Sequence, residues 1–186
     1  MVLAMTGEGM NRRTLIKTGL AGSALLGLGG LGWGLTAGGR GPEGLSLATL
    51  DRRSYAILSA VADRMCRAGE GAPSAADLKV VEKIDALLAS LPPSVTAELK
   101  QALLLLESPI FGALMDGRTQ PFTQCDGEAQ DRVLAAWRDS RWPVRRTVYD
   151  ALHSLCMAPY WCDASLWARM GYPGPPGVLV PTTEDA

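Results

Sequence analysis

The chain predicts an all-α fold: a single compact domain of about five helices, an irregular aromatic and Pro/Gly-rich C-terminal tail, and an N-terminal signal segment ahead of both. Three observations carry this. Apolar residues recur three and four apart almost everywhere after Ser46, no stretch alternates as a half-buried strand does, and Gly/Pro clusters cut the pattern into helix-length pieces. The organisation that follows is a signal or signal-anchor over 1–40, a helical domain over 41–157 and a tail over 158–186.

Taken in order, Leu50, Ile57, Leu58, Val61 and Met65 make one face of a helix over 49–67, ended by the Gly69–Pro73 cluster. A second helix follows Ser74, with Val80, Val81, Ile84, Leu87, Leu88 and Leu91 apolar, and Pro92 and Pro93 close it. A third begins at Ser94, turns Val95, Leu99, Ala102, Leu103 and Leu106 inward, and stops before Pro109. Residues 110–125 read as irregular, with at most a short helical turn at Phe111, Leu114 and Met115. Asp126 suits the N-cap of a fourth helix, because its carboxylate can accept from the free amides of the first turn; Val133, Leu134 and Trp137 are that helix's buried face. The fifth runs from Pro143 to about Met157, with Val148, Tyr149, Leu152 and Leu155 inward.

The N-terminal segment carries two competing signals. Gly27, Gly29 and Gly32 fit G-x-G-x-x-G, which binds dinucleotides when a strand turns through it into a helix. No β-branched run precedes Gly27 and no acidic residue ends a second strand about twenty positions on, so that context is missing. Asn11, Arg12, Arg13, Thr14, Leu15, Ile16 and Lys17 instead resemble a twin-arginine export motif, followed by an uncharged, glycine-moderated run from Thr18 to Gly39. The functional residues of this signal are Arg12, Arg13, Leu15, Ile16 and Lys17. Those 22 residues are long enough to span a bilayer as a helix. An Ala-x-Ala cleavage site is absent, so both a removed signal and an uncleaved anchor stay open, and the expected location is the periplasm or the outer face of the inner membrane.

The whole chain has a net charge of −1; without the four basic and one acidic residues of its first 40 it holds 14 basic against 18 acidic, a net −4. That excludes a nucleic-acid partner, whose phosphates call for a basic face. No phosphate loop, haem-attachment motif or paired Glu/His helical motif is present, and no catalytic residue or metal ligand set is expected. His153, the only histidine, reads as a partly buried structural residue on the fifth helix. Of the four cysteines, Cys156 and Cys162 flank a helix end and close a small disulfide loop if the chain turns back there, whereas Cys66 reads as a free buried thiol. Three of the five Trp lie between Trp142 and Tyr172. Tyr160, Trp161, Trp167, Tyr172, Pro173 and Pro175 share no helical or strand period, which makes them candidates for a partner interface.

Several stretches together resemble the gluconate 2-dehydrogenase subunit 3 family. They are Leu50 to Met65 with Ser54, Tyr55 and Ala62–Arg64, the Gly71–Ser74 loop, Leu134 to Ser140 with Trp137, Arg145 and Arg146, and the tail from Trp167 to Pro176. The chain departs from the family where Cys66-Arg67 stands in place of a proline after the first helix, and again at Tyr160–Ala164. The resemblance implies a non-catalytic small subunit without a cofactor of its own. Its partner would be a large flavin-dependent dehydrogenase subunit of the glucose-methanol-choline type, which holds the FAD. It also implies that the twin-arginine export machinery is a partner, and it leaves room for a cytochrome c subunit in the complex. The other reading of the same residues is a stand-alone exported or membrane-anchored helical protein with a structural or binding role.

Overall fold

The computed structural model describes residues 46–174, which hold seven α-helices, two short 3-10 turns and no strand. The first helix, α1 (Arg52–Met65), starts where Asp51 accepts from the Ser54 amide at 2.9 Å, and it buries Ile57, Leu58, Val61 and Ala62, as the period predicts. The second, α2 (Val80–Ala89), begins five residues later than a start just after Ser74 would place it. Ser74 and Asp77 hydrogen-bond each other, through the Ser74 amide at 2.8 Å and the Asp77 amide at 3.1 Å, and close a local turn. Lys79, at φ 50°, then redirects the chain into α2.

Helix α3 (Pro93–Glu107) is followed without a loop by α4 (Pro109–Met115). Here the structure corrects the irregular reading of 110–125. Pro109 ends α3, but at the first position of a helix its missing N–H costs nothing, and Ser108 caps the new helix by accepting from the Phe111 amide at 3.3 Å. A 3-10 turn over Phe122–Gln124 follows, held by the fully buried Glu107, which accepts from the Thr123 amide at 3.0 Å and its hydroxyl at 2.6 Å. Helix α5 (Gly127–Arg138) starts as expected at Asp126, whose carboxylate accepts from the Ala129 amide at 2.7 Å.

Helix α6 runs Pro143–Trp161, four residues beyond the expected end, with Pro159 inside it; α7 (Ala164–Trp167) and a 3-10 turn over Ala168–Met170 complete the described chain. Among the described residues the segment 158–174 is therefore largely helical, with irregular backbone mainly at 172–174. Helix α6 packs against α1, α2, α5 and α7, while α1 also packs against α2 and α3. Ile57, Val61, Ile84, Leu103, Leu152 and Trp137 lie where these helices meet, each nearly or fully buried.

The chain's entry into the domain is fixed by one carboxylate. Asp85 on α2 accepts from the amides of Ala48, Thr49 (2.9 Å) and Leu50 (2.7 Å) and from the Thr49 hydroxyl (2.8 Å). Burial pushes its carboxyl up, but those hydrogen bonds outweigh burial and hold it below the ordinary carboxylate range. A folded value below the unfolded one of about 3.9 gives stability that is fully present above about pH 4 and is lost as pH falls through the folded value. Asp85→Asn, which presents an amide donor to amide donors, is expected to cost about 2 kcal/mol at neutral pH. In urea melts the gap between wild type and variant should narrow below about pH 4; a gap that is constant with pH would contradict the assignment.

Candidate functional site

The geometry around α4 starts from a contact that admits only glycine. The Arg118 guanidinium lies 2.8 Å from where a Cβ on Gly112 would stand, so the inner face of α4 rests directly on that side chain. Arg118 is fixed in turn by the carbonyls it donates to, Leu106 at 2.7 Å, Ser108 at 3.3 Å and Gln120. Beside it, Phe111 meets Trp137 edge-on at 6.0 Å, and the Arg145 guanidinium lies over the same indole at 5.2 Å. With Phe111 and Gly112 turned inward, Ile110, Leu114 and Met115 face solvent, Leu114 at 77% exposure.

A second group of exposed apolar side chains stands at the start of α6. Asp116, next to Met115, pairs with Arg145, next to Val144, and both side chains of the pair are more than nine-tenths buried. The pair ties the end of α4 to the first turn of α6, where Trp142 and Val144 are each about half exposed. Large exposed apolar side chains grouped on such elements are candidates for a partner surface. The sequence reading missed them because 110–125 was taken as irregular; Ser108-Pro109, a cap followed by proline at the first helical position, was the available signal.

The C-terminal aromatics divide between core and surface. Tyr160 is fully buried and its hydroxyl donates to the Pro73 carbonyl at 2.9 Å, so its expected place in an interface is corrected to one in the core. The cause is the extension of α6, which carries residue 160 onto the same buried stripe as Leu152 and Cys156. Trp161 is half-buried, edge-on to Tyr160 at 5.4 Å. Trp167 is half-buried too; its indole donates to the Trp161 carbonyl at 3.2 Å and its ring meets Tyr172 edge-on at 5.7 Å. Tyr172, at 45% exposure, and Pro173 lie at the surface with Met170. Arg169 reaches back to the carbonyls of Glu70 (2.7 Å) and Gly71 (3.1 Å), and buried Leu166 anchors α7. The tail thus folds onto the 69–73 loop and leaves Trp167, Met170, Tyr172 and Pro173 on its outer side.

The Cys156–Cys162 disulfide is also corrected: all four cysteines are free thiols. Cys156 lies within α6 and Cys162 is its C-cap, so the two are separated by six helical residues, about 9 Å of rise, beyond the reach of a disulfide. Cys66 is a buried thiol, as expected. His153 is exposed instead of partly buried, stacked on Tyr149 at 5.9 Å in a shallow cleft with Arg64, Asp131 and Arg138. The charges of that cleft satisfy one another: Arg64 grips Asp131 through two hydrogen bonds of 2.8 and 2.7 Å, and Arg138 grips Asp139 through two of 3.0 and 2.8 Å. Among the described residues no three His, Cys, Asp or Glu side chains cluster as a metal site, and no helix is long and apolar enough to cross a membrane. Arg12, Arg13, Leu15, Ile16, Lys17 and Pro175 lie outside the described residues.

Comparison with curated proteins and with solved structures gives no match. Comparison with protein families matches residues 52–174 to "Gluconate 2-dehydrogenase subunit 3", a span that contains α1 through the 168–170 turn and therefore both the α4 surface and the folded-back tail. The chain belongs to the gluconate 2-dehydrogenase subunit 3 family.

Proposed function

We propose that this chain is the accessory small subunit of a periplasmic flavin-dependent dehydrogenase of the glucose-methanol-choline type, acting on a sugar, sugar acid or alcohol. In this reading it supplies the twin-arginine signal for export of the folded catalytic partner, then stays bound and stabilises it. The observation that carries the proposal is an exposed apolar surface, Ile110, Leu114, Met115, Trp142 and Val144, on a chain whose family is named as a dehydrogenase subunit. FAD belongs to the partner, the complex leaves room for a cytochrome c subunit, and the N-terminal segment serves as signal or as anchor. The twin-arginine route supports the same picture, because it moves folded cargo and so suits a flavoprotein loaded before export.

The export role rests on the guanidinium groups and not on charge alone. Replacing Arg12 and Arg13 with lysine preserves charge and removes the planar donor fork. Both this chain and the catalytic subunit are then expected to be lost from the periplasmic fraction; normal accumulation of the Lys-Lys variant contradicts the signal.

Binding is expected to centre on α4. Leu114→Asp puts a charge on a side chain already in water, so circular dichroism and melting of the lone chain should hardly change. Affinity for the catalytic subunit should fall by more than about 2 kcal/mol, roughly thirtyfold. Tyr172→Ala tests the outer side of the tail in the same assay. If Tyr172→Ala abolishes binding while Leu114→Asp leaves it intact, the contact lies on the tail and the α4 surface has been misassigned. Dehydrogenase activity with an artificial acceptor, and flavin absorbance, should appear in the complex and not in the purified chain; turnover by the chain alone contradicts the accessory role.

A further inference from the structure

We infer that Cys66 and Cys156 form a redox-active dithiol that closes to an intramolecular disulfide between the end of α1 and the middle of α6. The fold brings together two thiols 90 residues apart in the chain. Cys66 is the C-cap of α1, its amide donating to the Ala62 carbonyl, and its Sγ donates to the backbone carbonyl of Cys156 at 3.6 Å. That contact sets the Cys66 sulfur against the backbone of residue 156 itself, so the two thiols share one spot in the core. Both residues are nearly or fully buried. Neither of the other cysteines is placed this way: Cys125 donates to the Pro121 carbonyl at 3.4 Å, and Cys162 is exposed beyond α6.

The two thiols differ in acidity in the sense a dithiol requires. Hydrogen bonding from Cys156 pulls the Cys66 thiol below its ordinary value, against burial and the nearby Asp63 carboxylate, which push it up. The same contact, with burial, pushes Cys156 well above its ordinary value. Cys66, at the end of α1 where the loop begins, is assigned as the attacking sulfur, and Cys156, enclosed within α6, as the resolving one. The oxidant is an external disulfide, small-molecule or protein. The Cys66 thiolate attacks one of its sulfurs, forming a mixed disulfide and releasing one thiolate. Cys156 then loses its proton and attacks the Cys66 sulfur, forming the internal disulfide and expelling the second thiolate. Two protein thiols are oxidised, one disulfide is reduced to two thiols, and the two protons pass to the leaving thiolates. Cys66 lies next to the loop that the Tyr160 hydroxyl holds at Pro73 and Arg169 holds at Glu70 and Gly71, so opening of that loop is the route by which the oxidant would reach it.

The test uses the full chain with Cys125→Ala and Cys162→Ala, which leaves the core untouched and retains only the inferred pair. The protein is incubated with oxidised glutathione or with dithiothreitol, alkylated in denaturant, and weighed intact; peptides are then mapped. After oxidation both remaining thiols should resist alkylation without a glutathione adduct, and one cross-linked peptide should join Cys66 to Cys156. The oxidised form should melt higher than the reduced form by roughly 10 °C. In the otherwise wild-type chain, Cys66→Ala should abolish the cross-link. Full alkylation after oxidation overturns the inference, as do glutathione adducts on both residues or, in the wild-type chain, a cross-link that uses Cys125 or Cys162. None of these readouts depends on export or on the catalytic partner.

Discussion

Everything in this domain is arranged around one long buried stripe on α6. Leu152, Cys156 and Tyr160 recur four apart on one face and are fully or almost fully buried, and α1, α2, α5 and α7 each pack against that helix. The stripe survives a proline. Pro159 removes one backbone donor inside α6 and crowds the preceding turn, at a cost of about 3 kcal/mol in an isolated helix. Burial of the Tyr160 ring one residue later, with its hydroxyl satisfied by Pro73, is of the same magnitude and opposite sign. Past Cys162, Asp163 caps α7 through the Ser165 amide at 3.2 Å and pairs with Lys83 on α2 at 2.8 Å. The exposed ion pair adds little to stability; its effect is to fix where the tail turns back.

Two buried carboxylates do for the loops what the stripe does for the helices. Asp85 gathers the amides of residues 48–50 and Glu107 gathers the amide and hydroxyl of Thr123, so each turns a stretch of irregular backbone into a fixed boundary of the core. Neither role is visible as a motif. In the sequence both read as ordinary polar positions on amphipathic helices, because what they bind lies 35 to 37 residues earlier for Asp85 and 16 later for Glu107.

The helical class, the buried faces of α1 and α5, most of that of α2 and the cap at Asp126 were legible because periodicity and capping are local; Leu87 and Leu91, read on the apolar stripe of the second helix, are exposed. The errors at Pro109 and at the end of α6 are both misplaced helix ends. At Pro109 the residue terminates one helix and begins another, which hid α4 and with it the most exposed apolar face in the domain. Ending the fifth helix at Met157, four residues early, made Tyr160 look like surface and Cys156 and Cys162 look like neighbours across a turn. The pairing of Cys66 with Cys156 could not be read at all, since it depends on how α1 crosses α6 and not on spacing.

The bed beneath α4 explains why its outer surface matters. Asp116 and Arg145 are both nearly fully buried, and burying two charges costs more than their attraction returns unless every lone pair and proton is satisfied. Here Asp116 Oδ2, Arg145 Nε, Arg118 Nε and the Trp137 indole nitrogen have no hydrogen-bond partner among the described residues. Helix α4 therefore lies on polar groups that hold it by geometry more than by burial, while its own apolar side chains Ile110, Leu114 and Met115 point the other way. In a lone chain those side chains contribute nothing to its attachment. On the proposed function, a partner laid across them removes their surface from water. Stabilisation then runs in both directions across this contact, because the small subunit's least supported helix is the one its partner completes.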